Sequence, residues 1–187
     1  HLYIMDGDIK KAYDYVSHRA FAEAARSRGM HEVLIHARLR EWRRMMSIFR
    51  LDKYKTSEKV PRTRILPQGD PSAPMIFNVI LDPLAEKFLA TAAEGRWGQE
   101  LSHGSWVNLI LFAENYWLVA TSPSMLMDMT NEWLRVLGEV GWETATADFT
   151  WCTTEEDLYK ADILVNGETT LRAEAKVGFK VLVTLVT

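Results

Sequence analysis

Asp8-Ile9-Lys10-Lys11-Ala12-Tyr13-Asp14 is the stretch from which the fold of this chain can be read. Leu2 to Ile9 alternates apolar and polar residues, which predicts a strand running into the Asp8 carboxylate. Two other stretches belong with it. Leu66-Pro67-Gln68-Gly69-Asp70-Pro71 has the composition of a loop that opens a helix, with Asp70 as N-cap and Pro71 at the first helical position. Phe112-Ala113-Glu114-Asn115 lies between the apolar runs Trp106 to Leu111 and Trp117 to Ala120, and predicts a hairpin with its tip at residues 113–116. If the first strand pairs with that hairpin, Asp8 and an acidic hairpin tip come together.

The chain of 187 residues is 48% apolar, enough to bury a real core as one domain or as a piece of a larger one. It opens at His1 on strand-like residues and closes on the alternation Val181-Leu182-Val183-Thr184-Leu185-Val186, so both ends are expected to continue into a longer protein. No apolar run approaches the roughly 20 residues of a membrane span, and no secretory pattern is present. The single cysteine, Cys152, excludes an internal disulfide framework and a multi-cysteine metal site, and predicts an intracellular location, cytoplasm or nucleus. The net charge of -3 hides an asymmetry: residues 19–64 hold 13 Lys/Arg against 5 Asp/Glu, and residues 65–187 hold 7 against 17. A basic block of that size is either a phosphate-contacting surface or a set of solvated helix faces.

Along the chain, Ser17 offers an N-cap and Gly29 a C-cap to a helix whose apolar positions are Ala20, Phe21, Ala24 and Ala25. A second helix is predicted from His31 to Phe49, with Val33, Leu34, Ala37, Trp42, Met45 and Met46 as its apolar positions. Residues 50–66 read as an extended hairpin interrupted by Pro61. Pro71 to Ala93 is the strongest helix, with Met75, Val79, Leu84 and Phe88 toward the core and Pro83 as a kink. Ser124 to Val140 predicts another helix, and Glu143–Trp151 and Ile163–Leu171 predict strands with Asn166-Gly167 as a turn. No clean βαβ rhythm runs through this order, which favours an α+β fold: an antiparallel sheet with helices packed on one face.

Phosphoryl transfer commonly uses two divalent ions about 4 Å apart, one activating a hydroxyl nucleophile and one holding the leaving group. Mg²⁺ takes hard oxygen ligands in tight octahedral geometry, so carboxylates fixed at the ends of adjacent strands suit it. The first two stretches, with Phe77-Asn78 and Leu81-Asp82-Pro83-Leu84 after the second, resemble motifs A and B of a reverse transcriptase. The wording is similar to non-LTR retrotransposon (LINE-like) and group II intron enzymes more than to retroviral ones. The resemblance implies a polymerase palm with part of the fingers: palm over 1–30 and 66–175, fingers over 31–65, with the remaining fingers and the thumb outside the chain. It implies RNA-directed DNA synthesis from dNTPs on an RNA template and DNA primer, with Mg²⁺ or Mn²⁺. It assigns Asp8 and Glu114 to the metals, with Asn115 as a weak auxiliary in the catalytic set, and Tyr13 to the gate against a 2′-hydroxyl. Ile9, Gln68 and Gly69 join Tyr13 in the nucleotide site. Arg38, Arg43, Arg44, Lys53, Lys55, Arg62 and Arg64 would hold nucleic-acid phosphates.

The third stretch departs from the family, which carries Asp-Asp where this chain has Glu114-Asn115. Glu114 keeps the charge but reaches farther by a methylene, and Asn115 keeps an oxygen but loses the charge. Asp148 falls where the family has a Lys in motif D, and Gly178-Phe179-Lys180-Val181-Leu182-Val183 resembles an altered primer grip. These departures predict an impaired polymerase, or in the limit a nucleic-acid-binding relic; an unrelated α+β domain is the third alternative. Other candidates carry less. His18, His31, His36 and His103 lack metal-ligand spacing, Cys152 reads as an inert thiol, and most of the tryptophans fall at core positions.

Overall fold

The computed structural model describes residues 1–50, 52–53, 55–61, 64, 66, 69–144, 149–154, 163–165, 168–169 and 171–172. In chain order the elements are β1 (Tyr3–Asp8), α1 (His18–Ser27), α2 (Glu32–Arg43), β2 (Met46–Ser47), β3 (Val60–Pro61) and α3 (Ala73–Gly95). Then follow β4 (Gln99–Glu100), a 3₁₀ turn at Ser102–Gly104, β5 (Trp106–Val107), β6 (Leu109–Phe112), β7 (Asn115–Ala120) and α4 (Pro123–Gly138). The described residues close with β8 (Thr150–Thr153), β9 (Leu164–Val165), β10 (Glu168–Thr169) and β11 (Leu171–Arg172). They fall into two compact units. One takes in His1–Lys10, Ala85–Glu139 and the described part of Glu143–Thr187; the other is Lys11–Leu84 with Val140–Trp142.

The first unit is built on a five-stranded sheet in the order β11-β8-β1-β7-β6. β1 is central. It pairs antiparallel with β7, from Tyr3↔Ala120 to Asp8↔Asn115, and antiparallel with β8, from Tyr3↔Thr153 to Asp6↔Thr150. Only β11 joins in parallel, on β8. This is the expected α+β arrangement of a mainly antiparallel sheet with packed helices. Alternation along β1 buries Tyr3, Met5 and Gly7 and leaves Asp8 exposed at the strand end. β7 is buried along its length after half-buried Asn115.

Helix α4 packs on β1 and β7. The Ser122 hydroxyl accepts from the Met125 N–H at 3.2 Å, and Pro123 follows at the start of the helix, so the chain is preorganised to turn there. Trp133, fully buried, meets Phe88 of α3 edge-on at 5.5 Å and Tyr116 of β7 at 5.7 Å. The register sets Gly7 opposite Tyr116, and a Cβ on Gly7 would lie 2.4 Å from the tyrosine ring. The bare glycine is what lets the ring rest against β1.

In the second unit, the Ser17 hydroxyl accepts from the N–H groups of Arg19 and Ala20 and starts α1 where expected. Its other end closes as a Schellman motif, with the Met30 N–H on the Ala25 carbonyl and the Gly29 N–H on that of Arg26, both at 2.9 Å. Helix α2 corrects the predicted span of 31–49. His31 caps it through Nδ1, but it ends at Arg43, because Met46–Ser47 pairs with Val60–Pro61 as a β-ladder. Its expected apolar face is corrected in part: Trp42 is buried as expected, and Ile35 with it, whereas Val33 and Leu34 are 65% and 60% exposed.

Helix α3 starts two residues after Pro71 and runs through Pro83 to Gly95. Its residues to Leu84 belong to the second unit and those from Ala85 to the first. Ile76, Phe77, Ile80, Leu81, Leu84 and Phe88 are buried, whereas Met75, expected in the core, is 57% exposed. The Asn166-Gly167 turn lies outside the described residues, although Val165↔Glu168 pairing of β9 with β10 brackets it.

Candidate functional site

In the first unit, the sheet brings together three of the sequence-predicted residues. Asp8, the last residue of β1, faces Asn115, the first of β7, in the antiparallel register. Glu114 precedes Asn115 in the two-residue turn Ala113-Glu114, closed by the pair Phe112↔Asn115. The Ile9 N–H donates to the Glu114 carbonyl at 3.0 Å, which ties the turn to the residue after Asp8. Ala113 adopts φ 51°, a left-handed conformation that disfavours any side chain with a Cβ. The turn starts at Ala113 as predicted, but residues 115 and 116 belong to the ladder, so the tip is 113–114 rather than 113–116. The Ile9 side chain is 1% exposed and lies in the core.

Sequence reading missed Asp6, two residues before Asp8 and on the same face of β1; the period of two is the signal that could have found it. Burial first, and the nearby Asp8 charge second, push its carboxyl pKa upward. Burial likewise raises the pKa of Tyr116, with smaller contributions from Asp8 and Asp6 and an opposing one from the Thr144 hydroxyl. The Cys152 thiol is half-buried and raised in pKa by burial, then by Asp6, as an unreactive thiol would be.

As a place for a hard divalent ion, the strand end offers the carboxylates of Asp8 and Glu114 and the carboxamide oxygen of Asn115. These are the right kind of donors for Mg²⁺, with one charge fewer than three aspartates would supply. Among the described residues no three His, Cys, Asp or Glu side chains gather as a group that could hold an ion. The donor set fits in chemistry and falls short in charge.

In the second unit, Tyr13 stacks on Phe77 at 5.1 Å and Phe77 stacks on Trp142 at 4.9 Å, giving three nearly parallel rings with the half-exposed tyrosine at one end. The Tyr13 carbonyl accepts from the Leu66 N–H at 2.8 Å, joining the first predicted motif to the second. Gly69 has φ 87°, where a residue with a Cβ would be strained, and nothing lies within 4 Å of the Cβ position. Gln68, its expected partner, lies outside the described residues, as do Arg62, Asp148 and the 178–183 segment.

Asp70 accepts from the Ser72 N–H at 2.8 Å and the Ser72 hydroxyl at 2.6 Å, closing the turn from which α3 springs. Arg38 reaches across from α2, donating through Nη2 to the Ser72 hydroxyl at 2.5 Å and through Nη1 to both Asp70 at 3.3 Å and Glu41 at 2.8 Å. Arg38 is thus committed to positioning the Gly69-Asp70 turn. The Ser72 hydrogen bonds, more than the Arg38 charge, hold the Asp70 carboxyl below its usual pKa. A depressed folded-state pKa contributes stability that is present above the unfolded value and lost as pH falls through the folded one. Asp70→Ala is therefore expected to cost about 1 kcal/mol at pH 7, with the difference from the natural chain shrinking below about pH 4. Urea midpoints across that range check it, and an undiminished gap at low pH would contradict it. Arg43 and Arg44 are exposed at the end of α2, Arg64 bridges Ser17, and the Lys55 backbone N–H closes a turn on Asp52, with Lys53 inside that turn.

A sheet of this order with an acidic hairpin facing a strand-end aspartate defines the class as a nucleic-acid polymerase fold. The model of the reverse transcriptase (RNA-dependent DNA polymerase) family matches residues 1–159, and the chain belongs to that family. It is 26% identical over 138 residues to the retrovirus-related Pol polyprotein from type-2 retrotransposable element R2DM of Drosophila melanogaster, covering 73% of this chain and 12% of that protein. Apo telomerase from Candida tropicalis, truncated from its C-terminal domain, superposes with a TM-score of 0.62 at 12% identity over 87% of this chain and 32% of that one. Telomerase from Candida albicans, in complex with the TWJ fragment of telomeric RNA, gives 0.51 at 12% identity over 88% of this chain and 28% of that one. The telomerase likeness speaks to the fold alone. Family membership removes the alternative of an unrelated α+β domain. Among the described residues, no helix is long and apolar enough to cross a membrane.

Proposed function

We propose that this chain is the palm, with part of the fingers, of a retroelement RNA-directed DNA polymerase. It extends a DNA primer from dNTPs along an RNA template, with activity weakened by Glu114-Asn115. The observation that carries the reading is the register Asp8↔Asn115 with Glu114 beside it, which sets the acidic residues of two separate motifs at one end of the sheet. Asp8 and Glu114 would hold divalent metal, Mg²⁺ or Mn²⁺, which supplies activation of the primer hydroxyl and neutralisation of triphosphate charge. Asn115 would add a neutral oxygen. Tyr13, braced by Phe77, would press against the sugar and disfavour a 2′-hydroxyl. Gly69, with Gln68, would lie along the nucleotide and template, held by the Asp70–Ser72–Arg38 contacts. Palm residues would be 1–30 and 66–175, and finger residues 31–65.

The test is primer extension on an RNA template with Mg²⁺ and, separately, Mn²⁺. Weak extension by the natural chain is expected, more with Mn²⁺, and its loss on Asp8→Asn. Extension that survives Asp8→Asn unchanged would overturn the assignment. Silence of the natural chain in both ions, with retained RNA binding, would favour the inactive nucleic-acid-binding relic.

A further inference from the structure

Helix α3 ends in a Schellman motif whose left-handed residue is an arginine. The Trp97 N–H donates to the Ala92 carbonyl at 2.8 Å and the Arg96 N–H to that of Ala93 at 3.3 Å, with Arg96 at φ 51°. Glycine is the residue this position favours, because a Cβ is strained there. Arg96 also has no carboxylate partner among the described residues. Its side chain lines a cavity of about 530 Å³ together with Trp97, Glu100, Trp106 and Asn108. The cavity lies away from the acidic turn: Asn108 precedes Ala113 by five residues, roughly 17 Å of extended chain.

The polar groups of this cavity are underused. A Cβ on Gly98 would lie 2.8 Å from the Asn108 Cβ, so the bare glycine lets the exit from α3 close over Asn108, which is 9% exposed. Among the described residues the Asn108 carboxamide has one contact, from Nδ2 to the Trp97 carbonyl at 3.5 Å, too long for a strong bond. Buried amides are ordinarily paired. Trp106 is 44% exposed and meets no other ring, and neither the Trp97 nor the Trp106 indole N–H has a partner among the described residues. Glu100 likewise forms no ion pair there.

We propose that this cavity docks a proline-rich peptide segment of another protein, held in the polyproline II conformation. Indole faces accept pyrrolidine rings, and a chain already extended loses little entropy on docking. Proline offers carbonyl oxygens and no N–H. The site offers the matching donors: the Arg96 guanidinium, two indole N–H groups and the Asn108 carboxamide. A phosphate backbone, which also brings acceptors, would meet Glu100 on the same cavity, in a part of the chain where residues 65–187 hold 7 Lys/Arg against 17 Asp/Glu.

Fluorescence anisotropy of labelled decaproline, titrated with the 187-residue chain in buffer without divalent ion, nucleotide or RNA, measures this docking independently of primer extension. Saturable binding is expected, with a labelled Gly/Ser decapeptide left unbound. Trp106→Ala should weaken decaproline at least about tenfold, as loss of a central aromatic anchor does, and Trp106→Phe should weaken it less. Arg96→Gly is the sharper variant, because it gives the left-handed position its favoured residue while removing the guanidinium. It should hold or raise the thermal midpoint and still weaken decaproline about tenfold, the loss of one charge-assisted hydrogen bond. Absence of decaproline binding, or binding unchanged in folded Trp106→Ala or Arg96→Gly protein, would overturn the site. Displacement of decaproline by single-stranded RNA that itself no longer binds Trp106→Ala would overturn the choice of a peptide.

Discussion

Glu114→Asp together with Asn115→Asp is expected to raise primer extension by about 100-fold over the natural chain. Two physical changes produce this. Shortening residue 114 by one methylene draws its carboxylate back by about 1 Å, and a misplacement of that size costs on the order of 10²-fold in rate. Residue 115 regains a negative charge directly across from Asp8, which raises attraction for closely spaced divalent ions. The turn tolerates the exchange, since Glu114 is half-exposed and the φ of 51° belongs to Ala113, not to Glu114. Rates measured in Mg²⁺ for both single variants and the pair separate position from charge. If the pair is as slow as the natural chain while both are folded, the defect lies elsewhere and Asp148 becomes the next residue to exchange.

Gly7→Ala is expected to destabilise the protein by about 1–3 kcal/mol, the usual cost of overpacking a well-filled core. The added methyl would stand 2.4 Å from Cζ, 2.5 Å from Oη and 2.7 Å from Cε2 of Tyr116. The ring has little room to retreat, because Trp133 and Phe149 meet it edge-on at 5.7 and 6.3 Å. What yields must be the β1–β7 ladder itself, and Asp8↔Asn115 is the next pair along it. The same substitution should therefore lower the activity of the Glu114→Asp/Asn115→Asp protein. Tyr116→Phe removes only the Oη contact and should rescue little, whereas Tyr116→Leu should recover most of the coupling in a double-mutant cycle. A Gly7→Ala protein within about 0.5 kcal/mol of the natural chain in urea would show that the close approach is not what constrains this position.

Helix ends and turns were legible because their causes are local. Ser17, Gly29 and Ser122 satisfy or close helix ends through contacts within a few residues, and the Ala113-Glu114 turn joins two adjacent strands. The misreadings have non-local causes. Met45 and Met46 extend the helical pattern of α2, but residues 46 and 47 gain more from pairing with Val60 and Pro61, which no window on α2 contains. Val33, Leu34 and Met75 are apolar and exposed, because burial depends on which faces other elements cover. Nothing in the basic block around Arg38 pointed to its engagement with Asp70, 32 residues away.

By itself, then, the sequence determined the membership of this chain in the reverse transcriptase family, its α+β class and the chemistry it could carry. Residue types at short spacings encode caps, turns and motif identity directly. The tertiary structure alone decided that Asp8 stands across from Asn115, that Gly7 makes room for Tyr116, and that Arg38 holds the turn before α3. Register and side-chain pairing come from strands and helices far apart in the chain. Only the folded backbone brings their polar groups and volumes into contact.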